Sequence, residues 1–135
     1  MALKATLKIE SKVYDVQDLD YRLSQPSDIK GKPTGITGGG IINFTILANK
    51  KDNFFFQEWV LSLATVKSGK FLLPITEGID HEITEVDFKD AYCTDLHVFY
   101  NSFNEKQLFM KLSISPTKII FRDGVEFLNK NLDLS

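Results

Sequence analysis

Hydrophobic and polar residues alternate with a period of two along most of the chain. This pattern is typical of β-strands that bury one face and expose the other. The predicted strands cover residues 3–9, 13–16, 19–23, 41–48, 70–76, 83–100, 108–115 and 118–122. Residues 41–48 are apolar on both faces, so we expect that strand to be central or covered. The pattern predicts about eight strands and a polar, partly mobile tail after residue 122.

One segment, FFFQEWVLSLATV, has the spacing of a helix instead. Asp52 and Asn53 offer an N-cap before it, and Gly69 offers a stop after it. The spacing predicts a helix over about residues 53–67, with a wide aromatic stripe that packs against an open side of a β structure. The expected core anchors are Phe55, Trp59, Leu63, Phe88 and Tyr92.

Length and composition favour one domain over residues 1–135. Hydrophobic residues make up 43% of the chain, and 11 residues are phenylalanine, which predicts a core filled by aromatic rings. Strands without long helices between them favour closure of the sheet, because closure removes unpaired strand edges. We therefore predict a mainly β fold, a small barrel of two packed antiparallel sheets with one flanking helix.

Charge and cysteine content exclude several classes of function. The net charge of −2 argues against nucleic acid and against anionic membrane surfaces as partners, since both need a basic face. The single cysteine, Cys93, allows no internal disulfide. Lys4 and Lys8 stand where a signal peptide would be apolar. We expect assembly in the cytoplasm and, if the protein is exported, a route without a cleaved leader.

Catalytic and cofactor motifs do not assemble from this sequence. Gly31-Lys32 is followed by Pro33, and the later glycines lead into a strand, so a phosphate-binding loop is disfavoured. Cys93 and His97 are expected on the same face of a strand, too far apart along it to chelate a metal easily. With His81 they make only three candidate ligands, whereas a structural zinc site needs four. We predict no enzyme activity, no cofactor and no metal site.

The segment between residues 26 and 40 is a loop of unusual length and glycine content. Prolines stiffen it, glycines allow close backbone approach, and charges of both signs decorate it. Loops of this length in a compact domain are usually functional or disordered. Two interpretations stay open on physical grounds: an arm that contacts a neighbouring protein, and an ordinary surface loop.

An ordered set of residues over nearly the whole chain resembles the tube-protein family of the type VI secretion system, called Hcp or TssD, and its Bacteroidota branch in particular. The set comprises KATL at residues 4–7, Tyr14, Val16, Gln25, Asp28, Gly31-Lys32-Pro33, Gly38-Gly39, Trp59, Ser68-Gly69, Phe88, Asp90-Ala91-Tyr92, Leu112, Ile114-Ser115 and Ile119. Two positions depart from the family pattern: Lys32, where arginine is more usual, and Pro116, where a small residue is more usual. Pro116 leaves the geometry of the last predicted strand open.

The resemblance implies a structural role. Six copies close a ring, rings stack into a hollow tube, and a contractile sheath drives that tube with its spike into a target cell. The implied partners are other copies, sheath, spike and baseplate proteins, and effector cargo in the lumen. The arm would make the ring and stacking contacts through Asp28, Lys30, Gly31, Lys32, Pro33, Thr34, Gly38 and Gly39.

Two alternatives accompany this reading. One is the tail-tube protein of a phage or another contractile injection particle, which gene neighbours would separate from a secretion system. The other is a monomeric β-barrel carrier of a small apolar ligand, which a hexameric mass in solution would exclude.

Overall fold

A computed structural model describes residues 4–24, 30, 38–48, 53–78, 80–101, 107–121 and 125–128. These residues form seven strands and one helix. In chain order the elements are β1 (Thr6–Ile9), β2 (Lys12–Ser24), β3 (Gly38–Leu47), α1 (Asn53–Leu61), β4 (Lys67–Glu77), β5 (Asp80–Asn101), β6 (Gln107–Phe121) and β7 (Glu126–Leu128).

All strand pairs are antiparallel, and the sheet closes on itself. The strand order is β3-β2-β1-β4-β5-β6-β7, and a further pairing of β3 with β6 closes a six-stranded barrel and leaves β7 outside on β6. The barrel has two walls. The front wall contains β2, β3, the first part of β6 and the last part of β5; the back wall contains β1, β4 and the remaining parts of β5 and β6. The predicted fold class is confirmed.

The predicted strands 13–16 and 19–23 are one continuous strand. A register shift between Val16 and Asp18 marks a β-bulge at Gln17, which inserts one residue into β2. The bulge moves the alternation by one position, so a single strand reads as two strands out of phase. The prediction of a break there is wrong for that reason.

A second predicted break, at Pro116, is also wrong because β6 runs through this residue. Pro116 pairs with Ala91 of β5, whereas β3 leaves β6 after the pair formed by Ile42 and Ile114. Alternation along β6 turns the nitrogen of Pro116 toward the side that β3 has vacated, where no ladder hydrogen bond is lost. Pro116 therefore fits the geometry of this strand without interrupting it.

The C-terminal segment contains a strand that the sequence pattern did not indicate. Residues 126–128 pair with Lys118, Ile119 and Ile120 of β6. Phe127 is buried, while Glu126 and Leu128 are exposed. A strand of three residues with one buried side chain is too short to show a period of two. The expectation of a mobile tail is wrong for these residues, which pair with β6.

The helix ends at Leu61, earlier than predicted. The Ser62 hydroxyl accepts hydrogen bonds from the backbone N–H groups of Ala64 and Thr65, at 3.3 and 3.0 Å, and so turns the chain out of the helix. Leu63 consequently lies beyond the helix and is 98% exposed. The prediction that Leu63 anchors the core is wrong.

The remaining predicted anchors occupy different depths. Trp59 and Phe88 are fully buried, whereas Phe55 and Tyr92 are half-buried. Trp59 Nε1 donates a hydrogen bond of 3.0 Å to the carbonyl oxygen of Ala91, which fixes α1 against β5. Phe55 packs under the ammonium groups of Lys12 and Lys67, 5.1 and 4.3 Å from its ring centroid.

Aromatic rings fill the barrel interior. Phe71 is fully buried and lies 5.0 Å from Phe44 and 5.5 Å from Phe88, measured between ring centroids. Phe56, also buried, carries the contact from α1 to Tyr14 of β2 with an edge-to-face geometry at 5.1 Å. The interior is thus a packed core held by large side chains. None of the described helical residues forms a span long and apolar enough to cross a membrane.

Candidate assembly interface

Most of the predicted arm lies outside the described residues: Asp28, Gly31, Lys32, Pro33 and Thr34 belong to this group. Lys30 is an exposed turn residue. Gly38 and Gly39 begin β3, where they pair with Ser24 and Leu23 of β2. The contact role of these residues therefore stays a prediction, while other features of the described surface bear on assembly.

The first such feature is an open edge on β2. β1 pairs with β2 only over residues 12–15, and one further hydrogen bond of 2.9 Å joins the N–H of Val16 to the carbonyl of Ala5. Beyond that point β2 pairs only with β3 among the described residues. The short length of β1 thus leaves about half of β2 without a partner on one side, as far as the described strands go.

The second feature is an open edge on β5, at the opposite side of the front wall. β4 begins opposite Ala91, so residues 92–101 of β5 pair only with β6 within the described part of the chain. At the start of this edge, the indole N–H of Trp59 donates a hydrogen bond to the Ala91 carbonyl oxygen. β2 and β5 are the outermost strands of the front wall, so neither of its lateral edges is paired by another strand of the described residues.

Alternation along the strands identifies the backbone groups at these edges. The Leu108 carbonyl bonds to Ala48, next to β3, so the even-numbered residues of β6 that follow face β3 and the odd-numbered ones face β5. The β5 residues that pair with even-numbered residues of β6 therefore point their N–H and C=O groups away from β6, toward the open side of β5. We call Leu96, Val98 and Tyr100 the β5 edge. The same reasoning, starting from Val16, gives Leu19, Tyr21 and Leu23 as the β2 edge.

The six edge residues share a second property, since all of them are apolar and their side chains lie on the core side of the front wall. Several are nevertheless exposed: Tyr21 by 37%, Leu23 by 38%, Val98 by 38% and Tyr100 by 57%. Each lies at a margin of the wall where the described part of the chain provides no neighbouring strand. The apolar surface and the unpaired backbone groups therefore coincide.

The opposite face of the front wall, here called the polar face, carries a row of hydrogen-bonded polar side chains beside the exposed Ile41 and Phe99. The Ser113 hydroxyl donates to Asn43 Oδ1 at 2.6 Å, and Asn43 Nδ2 donates to Asp20 Oδ1 at 2.9 Å. The Thr94 hydroxyl donates to the Ser113 carbonyl at 3.2 Å. This row crosses β2, β3, β6 and β5 in turn. The row is joined by hydrogen bonds within the wall.

Cys93 and His97 do not share a face, contrary to the sequence-based expectation. A register shift between Cys93 and Asp95 marks a bulge at Thr94, which inserts one residue and reverses the alternation. Cys93 is buried in the core, while His97 is exposed on the polar face beside Phe99. The backbone of His81 lies in β5 opposite Thr76. The described residues contain no group of three or more His, Cys, Asp or Glu that could hold a metal ion.

The buried Cys93 thiol is expected to react slowly. Burial raises the pKa of Cys93 from 9.0 to about 11, and a hydrogen bond with the backbone of Asp95 partly offsets this rise. Because the thiolate is the reactive form, we expect its labelling by a disulfide reagent at pH 8 to be about 100-fold slower in the folded protein than in urea. Absorbance of the released thiol measures both rates. Equal rates would contradict the buried position, and a Cys93→Ala variant gives the background.

Comparison with known proteins identifies the class and then the family. The sequence matches the family model described as hemolysin coregulated protein Hcp (TssD) over residues 1–130. No curated protein matches the chain. The Hcp1 structure from Flavobacterium johnsoniae is similar, with a TM-score of 0.75 and 25% identity over 94% of this chain and 100% of that one. This is a class of structural β-barrel proteins that form the tubes of secretion machines.

More distant structures share the fold alone. Secreted protein Hcp3 from Pseudomonas aeruginosa has a TM-score of 0.62 and 11% identity, over 95% of this chain and 97% of that one. Hcp1 from Salmonella typhimurium has a TM-score of 0.65 and 11% identity, over 94% and 92%. The chain belongs to the Hcp (TssD) family of type VI secretion tube proteins.

Proposed function

We propose that this protein is the ring-forming, stackable tube subunit of a type VI secretion machine. Copies join through the β5 edge of one subunit and the β2 edge of the next. The observation that carries the proposal is the pair of open edges on opposite sides of the front wall. Family membership supports the tube role and a ring of six.

Strand direction supports this contact. β2, β3, β6 and β5 alternate in direction across the front wall, so its two outermost strands run antiparallel. A second copy placed beside β5 in the same orientation presents its β2 as the next antiparallel strand. The contact is heterologous, because it uses two different surfaces, and a closed ring satisfies both edges of every copy.

Side-chain chemistry supports the same contact. Edge pairing places the apolar side chains of both edges on one side of the joined sheet, where they cover one another. The exposed Tyr21, Leu23, Val98 and Tyr100 thereby lose contact with water, at a gain of roughly 25 cal/mol per Å² of apolar surface. The polar row from Asp20 to Thr94 stays on the other side. That face would line the channel of the tube, which holds water and effector cargo.

Assembly in the cytoplasm, export with the driven tube and contacts with sheath, spike and baseplate proteins follow from the same proposal. The arm between residues 26 and 40 supplies the contacts between stacked rings. The alternative of a tail-tube protein in a phage or other injection particle uses the same assembly logic. A monomeric carrier of an apolar ligand is disfavoured by the interior, which is packed by the rings of Phe44, Phe71 and Phe88.

Deleting residues 30–38 tests the arm. We expect the variant to melt cooperatively within a few degrees of the intact protein, because surface loops tolerate shortening. Tubes seen by electron microscopy should disappear, while single rings persist by mass measurement. Replacing the same residues by a Gly/Ser linker of equal length controls for chain connectivity. Tubes of normal length from the deletion variant would refute the role of the arm.

A further inference from the structure

The last strand, β7, packs at a fork in the barrel. The edge of β6 is occupied by β3 as far as the pair formed by Ile42 and Ile114, and by β7 from Lys118 onward. β3 and β6 diverge between these two points. Phe127 is the buried residue of β7, with 5% exposure, and its ring lies in this fork against Gly40 of β3.

Gly40 is shaped to receive that ring. Its φ of +84° is a conformation that residues with a side chain rarely adopt. A methyl group added to Gly40 would overlap the Phe127 ring, with ring atom Cζ at 2.9 Å. Gly40 also lies in a bulge of β3, since Tyr21 pairs with Ile42 but Leu23 pairs with Gly39. The bend of β3 and the Phe127 ring therefore fit each other.

The bend has a consequence for the residues that precede it. Gly38, Gly39 and Gly40 are the last residues of the arm and the first residues of β3, so the bend at Gly40 sets the direction of Gly38 and Gly39 relative to the rest of β3. A second aromatic contact supports the same corner. The ring centroids of Tyr21 in β2 and Phe121 at the end of β6 lie 5.5 Å apart, across the fork.

We propose that Phe127 is a positioning residue for assembly: the C-terminal strand inserts its ring into the fork and so fixes the base of the arm for contact with the next ring. The inference rests on the proposed function, because it uses the arm as a stacking element. It adds a role for β7, which contacts the arm at its last residue, Gly40, through the Phe127 ring.

The first experiment measures the arm without assembly. Trypsin cleavage after the exposed Lys30 is followed by mass spectrometry in the full-length protein. We expect Phe127→Ala to accelerate this cleavage at least fivefold. Leu128→Ala is the matched control, because it removes an exposed side chain from the same strand, and its rate should stay within twofold of the unmodified protein. Equal rates for the two variants would overturn the proposal.

A double-mutant comparison separates the fork contact from general loss of stability. Gly40→Ala is expected to accelerate cleavage as Phe127→Ala does, because the added methyl group expels the ring. In the double variant, Gly40→Ala should accelerate cleavage by a smaller factor than it does alone, since the ring is already absent and only the strain of the positive φ remains. If the acceleration in the double variant equals the product of the two single accelerations, Gly40 and Phe127 do not share a contact. If Phe127→Ala fails to fold, Phe127→Leu replaces it, with an expected acceleration of twofold to fivefold.

The second experiment measures assembly in the same variants. Phe127→Ala should reduce the sedimented tubes at least tenfold and leave the ring mass unchanged. Normal tubes together with faster cleavage would overturn the role of Phe127 in assembly. This outcome differs from failure of the proposed function, which the deletion of residues 30–38 tests separately and which would leave the cleavage result intact.

Discussion

Replacing Gly69 by alanine is expected to lower the free energy of unfolding by about 3 kcal/mol. The added Cβ would lie 2.6 Å from the carbonyl oxygen of Lys8, 2.9 Å from Cζ of Phe88 and 3.3 Å from Cβ of Ile9. The Lys8 oxygen belongs to the backbone of β1 and cannot retreat without disturbing the pairing of β1 with β4. For a domain of this size the melting temperature should fall by roughly 10 °C.

A second glycine provides the control for this experiment. Gly78 has a φ of +63°, but a Cβ placed there meets no atom within 4 Å. Gly78→Ala should therefore cost only the conformational strain of about 1 kcal/mol. Thermal unfolding followed by circular dichroism measures both variants. A Gly69→Ala melting temperature equal to that of Gly78→Ala would show that β1 and β4 are not closely packed at this point.

Replacing Val98 by proline is expected to abolish ring formation and leave the barrel folded. The N–H of Val98 faces the open side of β5, so proline removes a donor that no strand of the described chain uses. The cost in stability should be about 1–2 kcal/mol, from the fixed φ of proline. In a ring that joins β5 to the next β2, the same change removes an intersubunit hydrogen bond and places a pyrrolidine ring against the incoming strand.

The matched control is Val98→Ala, which shortens the same side chain and keeps the N–H. We expect it to weaken the ring by the loss of apolar contact, whereas the proline variant should be monomeric at the same concentration. Native mass spectrometry and sedimentation distinguish the two states. A hexamer of Val98→Pro with unchanged affinity would contradict pairing through the β5 edge, whatever the stacking behaviour.

The sequence pattern identified the β class and the barrel because alternation extends over most of the chain. It located strand faces but misplaced strand breaks, since single bulges at Gln17 and Thr94 shift the alternation without ending a strand. The prediction for Leu63 is wrong because the apolar pattern continues past Leu61. The chain turns at Ser62, whose hydroxyl accepts a hydrogen bond from the Thr65 N–H, and hydrophobic spacing carries no signal for such a bond.

The candidate interface could not be read from the sequence for a different reason. Leu19, Tyr21 and Leu23 already predict an apolar strand face, and that face was recognised. Whether the strand also has an open edge depends on the length of its neighbour, β1, and on the register between them. Register is a non-local property that arises on folding, and so the edges appeared only with the three-dimensional structure.

The length of β5 has a mechanical consequence. This strand spans 22 residues, roughly 70 Å of extended chain, and passes from the back wall to the front wall of the barrel. A shearing load applied to one wall is therefore transmitted to the other along covalent bonds, which are far stronger than the ladder between strands. A tube of such units, pushed from one end, would resist separation of its inner and outer layers.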